Sequence, residues 1–382
     1  MGSTNTPSND GVDVRKIAIS CVRRISESES YANIILPNML RKSKLSQRDK
    51  NLVTEIVYGT TRMQRALDWA VDRFLIKPPP DALRASLRVG AYQVMYTRIP
   101  PHAAVSTTVE ASSKRNRGVV NAVLRKLVGN PPVEWPNEGI RLSYPDWICE
   151  LVKAEHGPSE GQAMLESMNG TPTVMERKDG YVQDLASQWV VENIDVKPKD
   201  LVLDLCAAPG GKTTAIAAKG AYVVATDIRP SRSSLIADNV KRLKLDNIWQ
   251  VTADGTQPCF VQGVFDKVLV DAPCSGLGVL HRRADARWRI KPTDINSLAA
   301  LQFELLLAAR DLVKPNGELI YSVCTTTIAE TKEVALQFEK TANGVSSIPI
   351  KDPLWRENGD GGLLLPQDHG TDGMSLFRWK MA

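Results

Sequence analysis

The stretch "LVLDLCAAPGGKTTAIAAKGAYVVATDI", residues 201–228, decides the fold class of the second half of the chain. It begins with a short apolar run, passes through a loop with two consecutive glycines and a helical pattern, and ends in a second apolar run. Strand, crossover helix and strand in this order predict a βαβ unit, whose two strands lie parallel in one sheet.

The same alternation continues along the chain after Lys199. Further strands are predicted at "IWQVTAD", "DKVLVDAP" and "GELIYSVC", and helices at "SRSSLIADNVKRLKL" and "INSLAALQFELLLAARDLV". Repeated alternation of strands and helices predicts an α/β, Rossmann-like domain, in which helices cover both faces of a parallel sheet.

The glycine loop "CAAPGGKTT", Cys206 to Thr214, joins the first strand to its helix. Glycines let backbone amides approach a ligand closely, and a helix N-terminus favours negative charge. The loop matches neither GxxxxGK[ST] nor GxGxxG, which weakens the phosphate and dinucleotide interpretations.

Three acids close successive predicted strands: Asp227, Asp254 and Asp271. Asp227 lies 23 residues after Asp204, where a doubly wound fold places an acid on a ribose diol. A single strand-end Asp is usually a cap or turn residue. Three at one edge of a sheet favour a nucleoside site.

Two cysteines, Cys274 in "DAPCSG" and Cys324 in "YSVC", also follow predicted strands. Packing is the plain interpretation, because free cysteine behaves as a small hydrophobe. Beside a nucleoside site, the pair instead suits nucleophilic catalysis. Carbon 5 of cytosine is a poor nucleophile until a thiolate adds to carbon 6, so methylation there requires such a thiol.

The first half of the chain is different in pattern and charge. From Val12 to Val128, apolar residues recur at three- and four-residue spacing, which predicts a bundle of six or seven helices. Ser46 and Asp81 are expected to be N-caps. Residues 1–128 carry 21 Lys and Arg against 10 Asp and Glu. Such an excess is expected of a module that meets phosphate backbones, or of a solvated helical surface.

The remaining composition narrows the class of protein. The six cysteines are widely spaced without a CxxC pair, which indicates a reducing compartment and argues against a disulfide framework or a zinc site. With four histidines, no metal is expected. The N-terminus lacks a secretory signal pattern and no apolar stretch has the length of a membrane helix, so we expect a cytoplasmic protein.

Four segments are predicted. Residues 1–11 form a disordered lead, and 12–130 the helical domain. Residues 131–198 form a linker or truncated accessory region, with helical pieces at "DWICELVKAEHG" and "QDLASQWVVENI". Residues 199–382 form the α/β domain.

Several motifs in order resemble a known family. "LDLCAAPGGKTT", "DAPCSGLGVLHRRADARW", "YSVCT" and "LLLPQDHGTDGMSLFRW" are similar to the motifs of the Sun family of RNA 5-methylcytosine methyltransferases, which use S-adenosylmethionine. "RDKNLVTEIVYGTTR", "LRVGAYQVMYTRIPPHAAVSTTVE" and "VVNAVLRKLV" resemble the NusB-like RNA-binding domain. This pairing implies an RsmB-like 16S rRNA methyltransferase, with a class I methyltransferase domain and RNA, most of all small-subunit rRNA, as partner.

The resemblance also implies roles for individual residues. Cys324 would attack carbon 6, and Cys274 would assist breakdown of the covalent adduct. Asp271 would contact the target cytosine and help to protonate its ring, with Lys212 close to the reacting groups. The cofactor would be held by the glycine loop and three strand-end acids: Cys206, Ala207, Ala208, Pro209, Gly210, Gly211, Lys212, Asp227 on the ribose, Asp254 near the adenine, and Asp271.

The remaining cysteines have no chemical role in this scheme. Cys206 lies in the loop without a chemical step of its own. Cys21, Cys149 and Cys259 are most simply core or incidental residues.

The sequence departs from the family pattern in two places, and the first of them leaves an alternative function open. Family members usually have a substantial α/β segment in this region. In this chain the short stretch "NGTPTVMERKDGYVQD", 169–184, stands in its place, so that segment is largely missing. This chain has therefore shed an accessory, or it is a catalytically impaired RNA-binding or ribosome assembly factor. After Cys324, "TTTIAETKEV" keeps an acid at Glu330 but strays from the commoner Glu-Asn-Glu. A methyltransferase acting on an exocyclic amino group or on a protein side chain is a further alternative, although such enzymes commonly use an Asn/Asp-Pro-Pro-aromatic loop where this chain has "DAPC".

Overall fold

The computed structural model describes residues 10–28 and 31–382. They form two compact units. Unit 1 contains the described chain up to Leu151 together with Leu280–Arg289, and unit 2 contains Val152–Val279 and Ile290–Ala382. Most of the predicted disordered lead, residues 1–9, lies outside the described residues. Its last two residues, Asp10 and Gly11, belong to the first helix.

Unit 1 is helical. Its helices are α1 (Asp10–Glu27), α2 (Ala32–Lys42), α3 (Gln47–Arg62), α4 (Gln64–Asp72), α5 (Asp81–Tyr96), α6 (Pro101–Ala111), α7 (Arg117–Gly129) and α8 (Glu138–Leu142), while α9 (Asp146–His156) crosses the boundary into unit 2. The seven helices described before residue 130 confirm the predicted bundle.

The helix ends in unit 1 follow local sequence with two exceptions. Ser46 caps α3 by accepting a backbone N–H three residues on, as predicted. The prediction for Asp81 was wrong: Pro80 is the N-cap of α5 and Asp81 is its first residue. An acid there still interacts favourably with the helix dipole. Within the helical pattern that runs from Val12 to Val128, the helices α3 and α4 are separated only by Met63.

Close approach of α3 and α5 requires a glycine. A Cβ on Gly59 would lie 2.0 Å from the ring of Tyr92. The Tyr92 hydroxyl donates to Glu55 at 2.5 Å, which fixes the ring against α3. A larger residue at position 59 would therefore push the two helices apart.

A short segment from far along the chain, Leu280–Arg289, completes unit 1. Trp288 Nε1 donates to the carbonyl of Thr61 at 2.8 Å, and Arg62 Nη2 donates to the carbonyl of His281 at 2.9 Å. Arg287 is fully buried, with its guanidinium 3.9 Å from the centre of the Tyr144 ring. Each such buried hydrogen bond contributes about 1 kcal/mol, and leaving one of these donors unpaired costs more.

Unit 2 is an α/β domain. Its other helices are α10 (Pro158–Ser167), α11 (Leu185–Glu192), α12 (Gly211–Ala217), α13 (Pro230–Leu243), α14 (Pro292–Arg310), α15 (Lys332–Thr341) and α16 (Pro366–His369). Its strands are β1 (Leu201–Asp204), β2 (Tyr222–Asp227), β3 (Ile248–Thr252), β4 (Phe265–Asp271), β5 (Val313–Val323), β6 (Val345–Ser347), β7 (Arg356–Asn358), β8 (Gly361–Leu364) and β9 (Met374–Met381).

The sheet has the order β3-β2-β1-β4-β5-β9-β8-β7. The first five strands are parallel neighbours, and helices pack on both faces, which confirms the predicted α/β fold. Beyond β5 the sheet continues with antiparallel strands, and β6 also pairs with β9. Sequence analysis had assigned no strands after Cys324, although β9 is buried along most of its length.

The predicted domain boundaries differ from the two units. Residues 131–198 hold four helices, α8 to α11, which are divided between the units rather than forming a separate linker region. Leu280–Arg289 lies inside the predicted 199–382 domain but belongs to unit 1. The sequence gives no sign of a boundary at residue 280. The segment belongs to unit 1 because its side chains contact residues far away in the chain, as Trp288 contacts Thr61.

Candidate active site

The parallel order of β1, β2, β4 and β5 brings their carboxyl ends to one edge of the sheet, where such sheets bind ligands. Asp204, Asp227 and Asp271 are the last residues of β1, β2 and β4, and Cys324 directly follows β5. The structure therefore brings the predicted site residues Asp227, Asp271 and Cys324 to a common edge, together with Asp204.

Asp254 does not close its strand, and that expectation was wrong. β3 ends two residues earlier, at Thr252. The exposed Asp254 carboxylate accepts hydrogen bonds from the backbone N–H and hydroxyl of Thr256, at 2.9 and 2.7 Å, which stabilise the following turn. Its contact with an adenine stays a prediction.

The glycine loop makes a tight turn into α12. Gly210 has φ of 97°, a conformation that favours glycine, and is the N-cap of α12. The loop carbonyls are fixed from α13, because Arg232 donates to Ala208 O at 2.8 Å and Asn239 donates to Pro209 O at 2.9 Å. The Ala208–Pro209 peptide bond is cis.

The short 169–184 segment braces the same loop from the other side. Arg177 Nη1 donates to Gly211 O at 2.7 Å, and its Nη2 donates to Thr214 Oγ1 at 3.0 Å. The guanidinium is held in turn by Asp179 at 2.5 Å and lies over the Tyr181 ring at 4.7 Å. Sequence analysis missed Arg177, since nothing in the local pattern links it to a loop 34 residues away.

Asp204 carries an unusual carboxyl group. It is almost fully buried; Oδ2 accepts from Thr213 Oγ1 at 2.6 Å, while Oδ1 has no hydrogen-bond partner among the described residues. Burial raises the pKa of Asp204 to about 7. A buried carboxyl oxygen without a partner is costly, so it is a candidate ligand contact. Sequence analysis had used Asp204 only to measure the spacing to Asp227.

Asp227 is buried and already oriented. Its Oδ1 accepts from the backbone N–H of Arg229 at 3.1 Å, and Oδ2 lies 3.5 Å from Arg232 Nε. Because Arg232 also binds the glycine loop, the loop and the strand-end acid share one support.

Lys212 and Asp271 form an ion pair at the end of β4. Lys212 Nζ lies 2.7 Å from Asp271 Oδ1, which also accepts from Ser322 Oγ at 2.7 Å. Burial works to lower the pKa of Lys212, but the Asp271 carboxylate outweighs it and raises that pKa above its ordinary value. Cys324 lies within electrostatic reach of Lys212, since negative charge on that thiol contributes to the same rise.

The two predicted active thiols are in contact. Cys274 Sγ lies 3.2 Å from Cys324 Sγ, and neither is in a disulfide. Both side chains are partly exposed. Cys206 of the glycine loop differs, because burial raises the pKa of its thiol and so disfavours the reactive thiolate.

The other three cysteines lie apart from this chemistry. Burial raises the pKa of Cys21 to about 12 and that of Cys149 to about 11, and both residues belong to unit 1. Cys259 is exposed in the loop after β3.

Unit 1 has its own cleft, between α6 and α7, with a volume of about 830 Å³. Its floor includes Val105 and Val109, and its α7 side carries Arg117, Asn121 and Arg125 at four-residue spacing. Residues 111–133 contain five Lys and Arg and no acid. The lining of the cleft thus combines apolar side chains with two arginines and one acid, Glu110.

Among residues 10–28 and 31–382, no helix is long and apolar enough to cross a membrane. Within the same ranges, no group of three His, Cys, Asp or Glu is arranged to hold a metal ion.

Two family profiles match the chain. The profile of the 16S rRNA methyltransferase RsmB/F family matches residues 191–380, and the profile of the NusB family matches residues 12–129. The first match includes the glycine loop, Cys274 and Cys324, and the second includes the α6–α7 cleft.

Curated relatives are similar over nearly their whole length. A putative methyltransferase of Mycobacterium tuberculosis is 32% identical, over 94% of each chain. The probable ribosomal RNA small subunit methyltransferase B of Synechocystis is 32% identical, over 97% of this chain and 100% of the relative. The ribosomal RNA small subunit methyltransferase B of Yersinia pseudotuberculosis is 30% identical, over 91% and 97%. The first alignment spans 436 positions against 382 residues here, so this chain has gaps opposite its relative.

Among solved structures, the fold matches that of the protein PH0851. The TM-score is 0.78 at 22% sequence identity, and the match covers 98% of this chain and 99% of the other.

Proposed function

Because the chain belongs to the RsmB/F family of 16S rRNA methyltransferases and carries a NusB-family domain, we propose that it methylates carbon 5 of a cytidine in small-subunit rRNA through a covalent cysteine adduct. The observation that carries the proposal is the contact of Cys274 and Cys324 at 3.2 Å beside the Lys212–Asp271 pair. Methylation of an exocyclic amine needs no thiol, whereas addition to carbon 6 does.

The enzyme is an S-adenosylmethionine-dependent methyltransferase, and we assign the residues at the sheet edge to this cofactor. S-Adenosylmethionine supplies an electrophilic methyl group. In this assignment the glycine loop would hold its methionine part and Asp227 would hold its ribose hydroxyls. The buried, unpartnered Asp204 Oδ1 is an acceptor suited to a cationic or N–H-bearing part of the ligand.

Cys324 is assigned the attack on carbon 6. Lys212 is the cation within electrostatic reach of this thiol, and a nearby ammonium favours the thiolate form. As the sulfur–carbon bond forms, the ring nitrogen N3 gains a proton. Asp271 delivers it, with Lys212 Nζ as the proton source 2.7 Å away. The resulting enamine makes carbon 5 nucleophilic towards the methyl group.

Cys274 is assigned to release. After methyl transfer, carbon 5 must lose its hydrogen as a proton, which the Cys274 thiolate accepts. N3 then returns its proton to the Asp271–Lys212 pair, the sulfur–carbon 6 bond breaks and Cys324 leaves as a thiolate. The distance of 3.2 Å between the two sulfurs supports the proposal that both act on the same ring.

RNA docking is assigned to the α6–α7 cleft of unit 1. Arg117 and Arg125 are exposed cations that suit phosphates, and the valine floor suits the apolar faces of ribose and bases. The excess of Lys and Arg in residues 1–128 supports RNA, rather than an acidic protein surface, as the ligand of this unit.

The shortened 169–184 segment does not favour the alternative of an impaired assembly factor. Arg177 within it supports the glycine loop at two points. If loss of the accessory segment had impaired the enzyme, we would expect the glycine loop to lack the support that Arg177 provides.

The decisive experiment is bisulfite sequencing of 16S rRNA from cells lacking the gene, complemented with the wild-type or the Cys324→Ala protein. We expect one protected cytidine to appear only with the wild-type protein. Protection that returns equally with Cys324→Ala, or a methyl group found on an exocyclic amine by mass spectrometry, would overturn the proposal.

A further inference from the structure

Glu330 is a fully buried carboxylate that lies between β5 and α15. The proposed mechanism gives it no role. It accepts hydrogen bonds from neutral donors rather than from a cation in an ion pair: Ser275, Gln302 and Thr327 all bind it. Burying a carboxylate on neutral donors is costly unless the donors are numerous and well oriented.

Except for Gln302 of α14, the donors of Glu330 come from the two loops that carry the thiols. Ser275, which directly follows Cys274, donates its backbone N–H at 2.7 Å and its hydroxyl at 2.5 Å. Thr325, which directly follows Cys324, lies with Oγ1 3.4 Å from the same carboxylate and 3.0 Å from Ser275 Oγ. The residue after each thiol is thus tied to one side chain.

A second set of contacts fixes Glu330 and the Cys274 loop from behind. Gln302 Nε2 donates to Pro273 O at 2.8 Å and to Glu330 Oε1 at 3.2 Å. Tyr321 OH lies 2.9 Å from Gln302 Oε1 and 2.6 Å from Glu330 O. Gln302 and Tyr321 are both buried, so the whole cluster is shielded from water.

We propose that Glu330 is a positioning residue, which holds the Cys274 and Cys324 loops together so that both sulfurs reach one target ring. The inference rests on the proposed function of the two thiols. It assigns Glu330 no contact with substrate or cofactor. Its effect acts through the residue that follows each cysteine, Ser275 and Thr325.

The kinetic test compares Glu330→Gln with Glu333→Gln, which changes an exposed carboxylate three residues later. Glutamine keeps the size of the side chain but turns an NH₂ group towards donors. We expect Glu330→Gln to lower kcat for RNA methylation at least tenfold, with the Kd for S-adenosylmethionine and the KM for RNA within twofold of wild type. Glu330→Asp should restore part of the loss.

If Glu330→Gln fails to fold, Thr327→Val provides the test, because it removes one buried donor while keeping the carboxylate. An intermediate loss of kcat is expected. A kcat for the folded variants equal to that of Glu333→Gln would overturn the proposal.

A measurement independent of methylation uses the thiols directly. Oxidised glutathione converts two protein thiols to a disulfide and releases two molecules of reduced glutathione, and the equilibrium reports the effective concentration of one thiol at the other. In a Cys259→Ser background, which removes an exposed thiol, we expect Glu330→Gln to lower this value for the Cys274–Cys324 pair at least tenfold.

The two failures are distinguishable. Equal effective concentrations with and without Glu330→Gln would overturn the positioning role. A lowered effective concentration in a protein whose wild-type form makes no 5-methylcytidine would keep the positioning role and reject the proposed function.

Discussion

Cys274 Sγ and Cys324 Sγ lie 3.2 Å apart, although 49 residues separate them in the chain. The contact arises because β4 and β5 are parallel neighbours and each cysteine follows the end of its strand. Two thiols at this distance can act on adjacent atoms of one ring. Their duties can be separated by removing one sulfur at a time.

Cys324→Ala is expected to abolish both methyl transfer and the protein–RNA adduct, since no thiolate remains to form the enamine. Cys274→Ala keeps the attack but impairs release, so methylated RNA should stay bonded to Cys324. Denaturing electrophoresis with mass spectrometry of the linked peptide measures both outcomes. An adduct that appears with Cys324→Ala and vanishes with Cys274→Ala reverses the assignment.

Asp227→Ala is expected to weaken S-adenosylmethionine binding by roughly 1 to 3 kcal/mol, because the ribose hydroxyls lose a buried acceptor. Asp238→Ala, on the exposed side of α13, is the matched control. Calorimetry on both folded variants gives the comparison. Equal affinities would place the ribose elsewhere.

Asp204 makes stability depend on pH in an uncommon direction. Its pKa is raised to about 7 in the folded protein, so between pH 4 and 7 the folded state binds more protons than the unfolded state. Stability from this group is therefore present at low pH and is lost as pH rises through 7. We expect Asp204→Asn to flatten that slope in thermal unfolding without cofactor, and to weaken S-adenosylmethionine binding at pH 8. Unchanged profiles would contradict both statements.

Arg125→Glu is expected to weaken RNA binding and to reduce its salt dependence, because each neutralised phosphate releases counterions. Lys16→Glu, an exposed cation on α1, is the control for net charge. Fluorescence anisotropy with a 16S rRNA fragment between 50 and 200 mM salt measures the slope. Equal effects of the two substitutions would indicate general charge attraction rather than docking in the α6–α7 cleft.

Arg287→Met tests the segment that completes unit 1. Arg287 is fully buried against Tyr144 and donates to Ser143 O at 3.2 Å, so its loss leaves a carbonyl and a ring without their contact. We expect a loss of roughly 1 to 3 kcal/mol in the unfolding of unit 1. Arg289→Met, which changes a less buried arginine of the same segment, should cost less. Chemical unfolding followed by far-UV circular dichroism, in which the helical unit 1 contributes strongly, reports the difference.

The residues that meet at the edge of the sheet could be predicted from sequence, because the carboxyl ends of neighbouring parallel strands lie at the same edge. Asp227, Asp271, Cys274 and Cys324 were found in this way. The orphaned oxygen of Asp204 was missed, since burial and partners depend on packing rather than on local pattern.

Contacts between distant elements were beyond prediction for the same reason. Arg177 reaches the glycine loop, and Glu330 joins two cysteine loops, through side-chain hydrogen bonds that no periodicity records. The docking of Trp288 on Thr61 joins residues 227 positions apart. Only the folded chain shows such pairs.

The position of Leu280–Arg289 in the chain also determines when unit 1 can be completed during translation. The helices up to Leu151 leave the ribosome first, but the segment that completes them follows 128 residues later, after Val152–Val279. At about 5 to 20 residues per second, that interval lasts on the order of ten seconds. During this time the sites for Trp288 and Arg287 stand open on a nascent chain, and they are closed only when three quarters of the protein has been translated.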